Sequence, residues 1–236
     1  NTLKQAEQGD VVAQYNLGTM YDFGEGVAEN KVEAVKWYQL AAEQGYVVAQ
    51  YNLGTMYDFG EGVAENKVEA VKWYRLAAEQ GYEDAQYNLG TMYDVGHGVA
   101  ENKVEAVKWY RLAAEQGNAS GQWALGKMYD FGQGIAENKV EAVKWYRLAA
   151  EQGDADAQNN LGVVYFDAAK SEKDFDKAFQ LFKSASESGN VEAMFNLGRM
   201  YRNSEEYRSC TPFSESWHED DRKGAFWLYS AAMKNH

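Results

Sequence analysis

Apolar and polar positions along the chain follow one template that returns every 36 residues. Ala13, Leu17, Met20 and Tyr21 fall at i, i+4, i+7 and i+8, one face of a 3.6-residue helical period. After a polar stretch rich in glycine, Ala34, Trp37, Tyr38, Ala41 and Ala42 make a second such face. Gly24 and Gly45 follow the two faces, where glycine commonly ends a helix. The pattern predicts helix–loop–helix–turn. Neither helix can bury its face alone, so the copies must stack to make a core.

The pairs Leu17-Gly18, Leu53-Gly54, Leu89-Gly90, Leu125-Gly126, Leu161-Gly162 and Leu197-Gly198 mark six copies. The repeats run over 10–45, 46–81, 82–117, 118–153, 154–189 and 190–236, and residues 1–9 read as the tail of a preceding helix. A fixed period of this size is the signature of a solenoid. The expected fold is all-α, a single repeat domain over 1–236 with no internal boundary and little β structure. Gly18 sits in a helix interior, where glycine costs about 1 kcal/mol against alanine. Close approach of a neighbouring helix, which a β-carbon would block, is the expected offset. Asp10 is a natural N-cap, replaced later by Asn118, Asp154 and Asn190, whereas Tyr46 and Tyr82 do not cap. Asn30 and Glu33 have capping-box spacing.

Repeats one to three are near copies. Repeat four puts Trp123, Ala124 and Lys127 where the template has Tyr, Asn and Thr. Repeat five loses its Gly-x-Gly loop and carries Ala168-Ala169-Lys170 instead. Repeat six has 47 residues, an insertion of 11 within about Asn203 to Asp221 that holds Cys210 and Pro212. This insertion is expected to form a long loop, or a loop with a short helical turn, more mobile than the stack, that overhangs one end and reaches the partner.

Leu-Gly-x-x-Tyr, then Gly-x-Gly-Val/Ile, then Ala-x-x-Trp-Tyr-x-x-Ala-Ala-x-x-Gly at a 36-residue step resembles the Sel-one-like repeat, a variant of the tetratricopeptide repeat. The likeness covers essentially the whole chain; repeats five and six depart in the loop and at the Trp, where Leu181 and Leu228 stand. The resemblance implies a right-handed α/α superhelix whose first helices line a concave groove. It implies an adaptor or assembly platform, and an exported, periplasmic bacterial protein over a cytoplasmic one. Some bacterial members resemble immunity proteins that neutralise toxic phospholipases. A cysteine-rich, disulfide-bearing branch does not carry over, because this chain has one Cys.

Charge and chemistry narrow the function further. The net charge of −13 argues against non-specific binding to nucleic acid or anionic lipid. No apolar run approaches the about 20 residues needed to span a bilayer. A first residue other than Met fits a processed or trimmed piece. Asp22-Phe23-Gly24 mimics a kinase motif but lacks the kinase lysine and catalytic loop. Gly24-Glu25-Gly26 follows a helix and carries an acid, which suits a helix end and not a phosphate loop. His97, His218 and His236 have no ligand spacing, and Cys210 has no assignable base. No catalytic residue, metal or cofactor is expected.

Tyr15, Tyr51, Tyr87, Trp123 and Phe195 fall off the core face, since at 100° per residue Tyr15 points roughly 160° from Leu17. They form either a recognition ladder or packing against the neighbouring repeat. Thr19 and Phe23 extend this stripe. The resemblance places Asn16, Asn52, Asn88, Asn160 and Asn196 where tetratricopeptide repeats hold a peptide backbone. Asp22, Asp58, Asp94 and Asp130 make an acidic stretch, followed by Lys127, Arg199 and Arg202 toward a more basic end. The function expected is a non-enzymatic scaffold, monomeric, binding a protein or peptide through these residues. Two other readings stand beside it: an immunity-type inhibitor of one secreted toxin, and a hydrolase built on the repeat.

Overall fold

The computed structural model describes residues 2–168 and 172–208, and of residues 172–173 and 201–208 the backbone alone. Every described element is helical. After α1 (Thr2–Glu7), the repeats contribute α2 (Val11–Phe23) and α3 (Lys31–Glu43), α4 (Val47–Phe59) and α5 (Lys67–Glu79), and α6 (Glu83–Val95) and α7 (Lys103–Gln116). Then come α8 (Ala119–Phe131) and α9 (Lys139–Glu151), α10 (Ala155–Asp167) and α11 (Glu172–Glu187), and α12 (Val191–Arg208). The fold is the expected all-α solenoid of helix pairs. The chain groups into two compact bodies, one of residues 1–121 with 132–136, the other of 122–131 with 137–236.

In the N-terminal body each core cluster is shared by two repeats. Ala34, Tyr38 and Ala41 of α3 pack with Ala49, Leu53 and Met56 of α4, and Trp73 of α5 leans on the same cluster. Ala70, Tyr74 and Ala77 of α5 likewise pack with Ala85, Leu89 and Met92 of α6, with Trp109 alongside. Within the pair of aromatics on each second helix, the Tyr is the deeper one. Tyr38 and Tyr74 are fully buried, while Trp37 and Trp73 are half-buried. The C-terminal body repeats the scheme, with Phe182, Ala185, Ala193 and Leu197 in one cluster and Ala142, Tyr146 and Leu161 in another.

The interior glycine has the cause expected of it. A β-carbon on Gly54 would lie 2.7 Å from the Tyr74 ring, and one on Gly18 2.6 Å from the Tyr38 ring. The loop glycines have a second cause. Gly62, at φ +69°, lies so close to α3 that a β-carbon would sit 2.2 Å from the Lys31 carbonyl oxygen. The Gly-x-Gly loops of repeats two, three and four are thus laid across the start of the second helix one repeat earlier, as Gly98 is on Lys67 and Gly134 on Lys103.

Asp10, Asn118, Asp154 and Asn190 cap through their side chains, and Tyr46 and Tyr82 do not, as expected. Asn30 accepts from the Glu33 N–H, but the box is not reciprocal. The Asn30 N–H donates to the Tyr21 carbonyl, and Glu33 pairs with Lys36 instead. A buried glutamine, which the helical pattern does not single out, joins successive repeats. Gln50 donates to the Ala42 carbonyl at 3.1 Å, which also accepts from the Gly45 N–H, and accepts from Gln80 at 2.6 Å, so it ties the end of the preceding helix to the next turn. At the other end of the chain, α12 has 18 residues and carries helix through Arg208. The first part of the insertion, residues 203–208, is therefore helical, as a continuation of α12. The remainder, with Cys210, Pro212 and His218, lies outside the described residues.

Candidate functional site

The proposed binding stripe lies on the first helices, and its residues differ in how much of them the fold already uses. In the N-terminal body Tyr15 is half-buried, its ring centroid 5.9 Å from Tyr38 and 5.0 Å from Tyr46 of the next repeat. Tyr51 stands in the same way between Tyr74 and Tyr82, and Tyr87 lies 5.9 Å from Tyr110. Packing against neighbouring rings is thus present at Tyr15, Tyr51 and Tyr87, each of which keeps part of its surface exposed. Thr19 donates to the Tyr15 carbonyl and accepts from the Tyr38 hydroxyl.

The acids are also engaged. Asp22 holds Lys31 at 2.7 Å and accepts from the Tyr38 hydroxyl at 3.0 Å. Asp58 and Asp94 repeat this with Lys67 at 2.9 Å and Tyr74, and with Lys103 at 2.8 Å and Tyr110. Hydrogen bonding to the aspartate raises each lysine pKa, and burial raises that of each tyrosine hydroxyl. The expected acidic stretch is therefore a row of Asp–Lys–Tyr clusters whose charge is answered inside each repeat. Asn52 favours the ionised form of the Tyr38 hydroxyl and Asn88 that of Tyr51, against the larger effect of burial. Asn16 is exposed.

The C-terminal body offers more free surface. Trp123 is half-buried against Ala142, Tyr146 and Leu161, and its indole N–H is buried with no hydrogen-bond partner. The Lys127 ammonium sits 4.6 Å over its ring. Asp130 pairs with Lys139 at 2.9 Å and accepts from Tyr146. Phe131 is 62% exposed and Phe195 51% exposed. Arg199 is exposed beside Phe195, its guanidinium 6.0 Å from the ring. Arg202 lies on α12, its side chain outside the described residues.

A cavity of 1120 Å³ lies between α8, α9, α10 and α12. Asp130, Phe131, Asn160, Phe195 and Asn196 line it, together with Lys139, Val143, Asn159, Val163, Val164 and Glu192. A neighbouring cavity of 530 Å³ adds Trp123 and Lys127 and shares Phe131, Asn160, Val191 and Glu192. Asn159 is 3% exposed and accepts from Asn196 at 2.9 Å. It, Val163 and Val164 escape the repeat-based reading because repeat five departs from the template there. That departure is the signal that finds them.

Among the described residues no group of three or more His, Cys, Asp or Glu side chains is placed to hold a metal ion. No described helix is long and apolar enough to cross a membrane.

Six consecutive matches to the Sel1 repeat, over 11–46, 47–82, 83–118, 119–154, 155–190 and 191–236, fill almost the whole chain. The chain belongs to the Sel1 repeat family. It is similar to a Sel1 repeat protein of Oxalobacter formigenes, at 38% identity and a TM-score of 0.81, covering 95% of this chain and 86% of that one. It is also similar to a protective antigen present in uropathogenic Escherichia coli that displays an SLR fold, at 36% identity and a TM-score of 0.84. All of this chain is covered there, but it spans only 48% of that antigen. An immunity protein of Pseudomonas aeruginosa shares the fold at 19% identity and a TM-score of 0.57, over 94% of this chain and 82% of that one. No curated protein matches the chain. A Sel1 repeat scaffold points to protein–protein interaction.

Proposed function

We propose that this Sel1 repeat chain is a non-enzymatic adaptor that holds a protein or peptide against the face of its first helices. The observation that carries the reading is the 1120 Å³ cavity, which gathers exposed Phe131 and Phe195 with the carboxamides of Asn160 and Asn196. Ligand sites commonly measure about 300–1,000 Å³ and pair apolar walls with a few polar groups. Large aromatics in such a setting act as binding anchors, and a carboxamide serves a peptide backbone because it donates and accepts at once. In the N-terminal body the stripe contributes less, because its aromatics and acids are engaged within the stack. Export from the cell is proposed on the resemblance alone.

The narrower reading, a dedicated inhibitor of one secreted toxic effector, is favoured by the irregularity of repeats five and six. A dedicated site has reason to leave the template, and a general platform has none. The test is capture of the partner from source lysate by the tagged full chain, followed by affinity measurement on variants. Phe131→Ala and Phe195→Ala should each weaken binding by about 2 kcal/mol, the scale of an interface anchor. Lys72→Ala, on the outer helix α5, should leave it unchanged. The reverse order would put the partner on the outer face. Stoichiometric inhibition of a captured toxin would favour the narrower reading.

A further inference from the structure

Repeat five leaves the template at two places, and Asn159 at the first and Ala168 at the second line the same cavity. Asn159 stands where the other repeats carry Tyr15, Tyr51, Tyr87, Trp123 and Phe195. The Gly-x-Gly loop that covers the start of the preceding second helix is absent from its sequence. The start of α9 is more exposed than its counterparts in repeats one to three. Val35, Val71 and Val107 are 6–8% exposed, whereas the matching Val143 is half-buried and lines the cavity. The Lys139 side chain is 61% exposed, against 31–33% for Lys31, Lys67 and Lys103.

We propose that this cavity docks a peptide segment that presents an apolar side chain with a Lys or Arg beside it. The proposal rests on the scaffold reading above and adds the chemistry of the partner. The walls are apolar, built from Val143, Val163, Val164 and Phe195. Burying an aliphatic or aromatic side chain against them gains about 25 cal/mol per Å² of apolar surface. The rim is acidic. Asp167 and Glu192 lie at this cavity and Asp156 at the adjoining one, all exposed. None of the three has an ion-pair partner among the described residues. Of the described cations nearby, Lys139 is held by Asp130 and Glu137, Lys127 lies over the Trp123 ring, and Arg199, beside the Phe195 ring, borders a small adjoining cavity with Asp167 but forms no ion pair with it. A ligand of matching chemistry brings its own positive charge to the rim and its apolar group to the floor. Charge of the wrong sign at the rim costs affinity, so the rim selects among segments that the walls alone would accept.

The test uses the full chain and three fluorescein-labelled decapeptides with one central Trp, flanked by Lys and Arg, by Gln, or by Glu, read by fluorescence anisotropy. The basic peptide should bind best, and the acidic one about tenfold or more weaker. The gap should narrow with added salt, since the rim is solvated. Asn159→Tyr fills the cavity with the side chain that repeats one to three carry at this position. Repeat three already sets Tyr87 before an Asn at the next cap, Asn118, as repeat five would set it before Asn190. This variant should lose at least about tenfold in affinity for the basic peptide. The double variant Asp167→Lys/Glu192→Lys, at exposed positions, should reverse the order of the peptides, and it decides the matter if Asn159→Tyr fails to fold. Equal binding of basic and acidic peptides overturns the proposal. So does unchanged binding to folded Asn159→Tyr, or failure of all three peptides to bind. If the captured partner still needs Phe131 and Phe195 while the peptides fail, the scaffold reading stands and this assignment falls.

Discussion

Gly54 shows how one residue is decided by two opposed effects. Alanine gains about 1 kcal/mol over glycine in a helix interior. Its β-carbon would meet two Tyr74 ring atoms at 2.7 and 2.8 Å. That ring is fully buried and its hydroxyl is tied to Asp58, so it has nowhere to go. Overpacking costs about 1–3 kcal/mol and wins. Gly54→Ala should lower stability by up to about 2 kcal/mol in urea unfolding, and a stabilised variant would show that the ring yields. This glycine was legible in the sequence because its penalty demanded a close neighbour. Tyr15 and Asp22 were not. A helical wheel of one repeat marks both as solvent-facing, and only the next helix reveals that Tyr15 meets Tyr46 and that Asp22 meets Lys31. Gln14 was hidden for a related reason: its partners, the Ala6 carbonyl and Gln44, belong to other helices.

At the scale of elements, the stability of one helix pair depends on its neighbours. Trp73 of α5 packs on a cluster made by α3 and α4, so it fastens two repeats together. Trp73→Ala should cost about 3 kcal/mol, toward the lower end for large aromatic truncations because the ring is only half-buried. Hydrogen exchange should quicken in α3 and α4 as well as in α5, since neighbour interfaces carry a repeat array. Quickening confined to α5 would show that the repeats are energetically separate. The helices, their glycine ends and their side-chain caps could be read from pattern and spacing. Which of Trp37 and Tyr38 goes deepest could not, because adjacent positions both border the same apolar face. The helix through Arg208 was also hidden, since an insertion breaks the period on which the reading depended.

At the scale of the whole molecule, the Asp–Lys–Tyr clusters set a limit at alkaline pH. Burial raises the pKa of Tyr38, Tyr74, Tyr110 and Tyr146 above the usual 10.0. Hydrogen bonding to aspartate raises Lys31, Lys67, Lys103 and Lys139 above 10.5. A group whose folded pKa is raised contributes stability that is full below its unfolded pKa. That contribution falls as the unfolded chain alone begins to lose the proton. The melting temperature should therefore hold up to about pH 10 and drop above it, with a shallower drop in Tyr74→Phe. An equal drop in the variant would remove Tyr74 from the account. The central claim is that partners meet the first-helix face at the C-terminal body. It is tested most directly by placing a photocrosslinking amino acid at position 195, at 131, or at 148 on the outer helix α9. Phe195, Phe131 and Leu148 are all exposed, so each position can carry the probe. Crosslinks to the captured partner from 195 and 131, and none from 148, are the result predicted. Crosslinks from 148 alone would contradict the account.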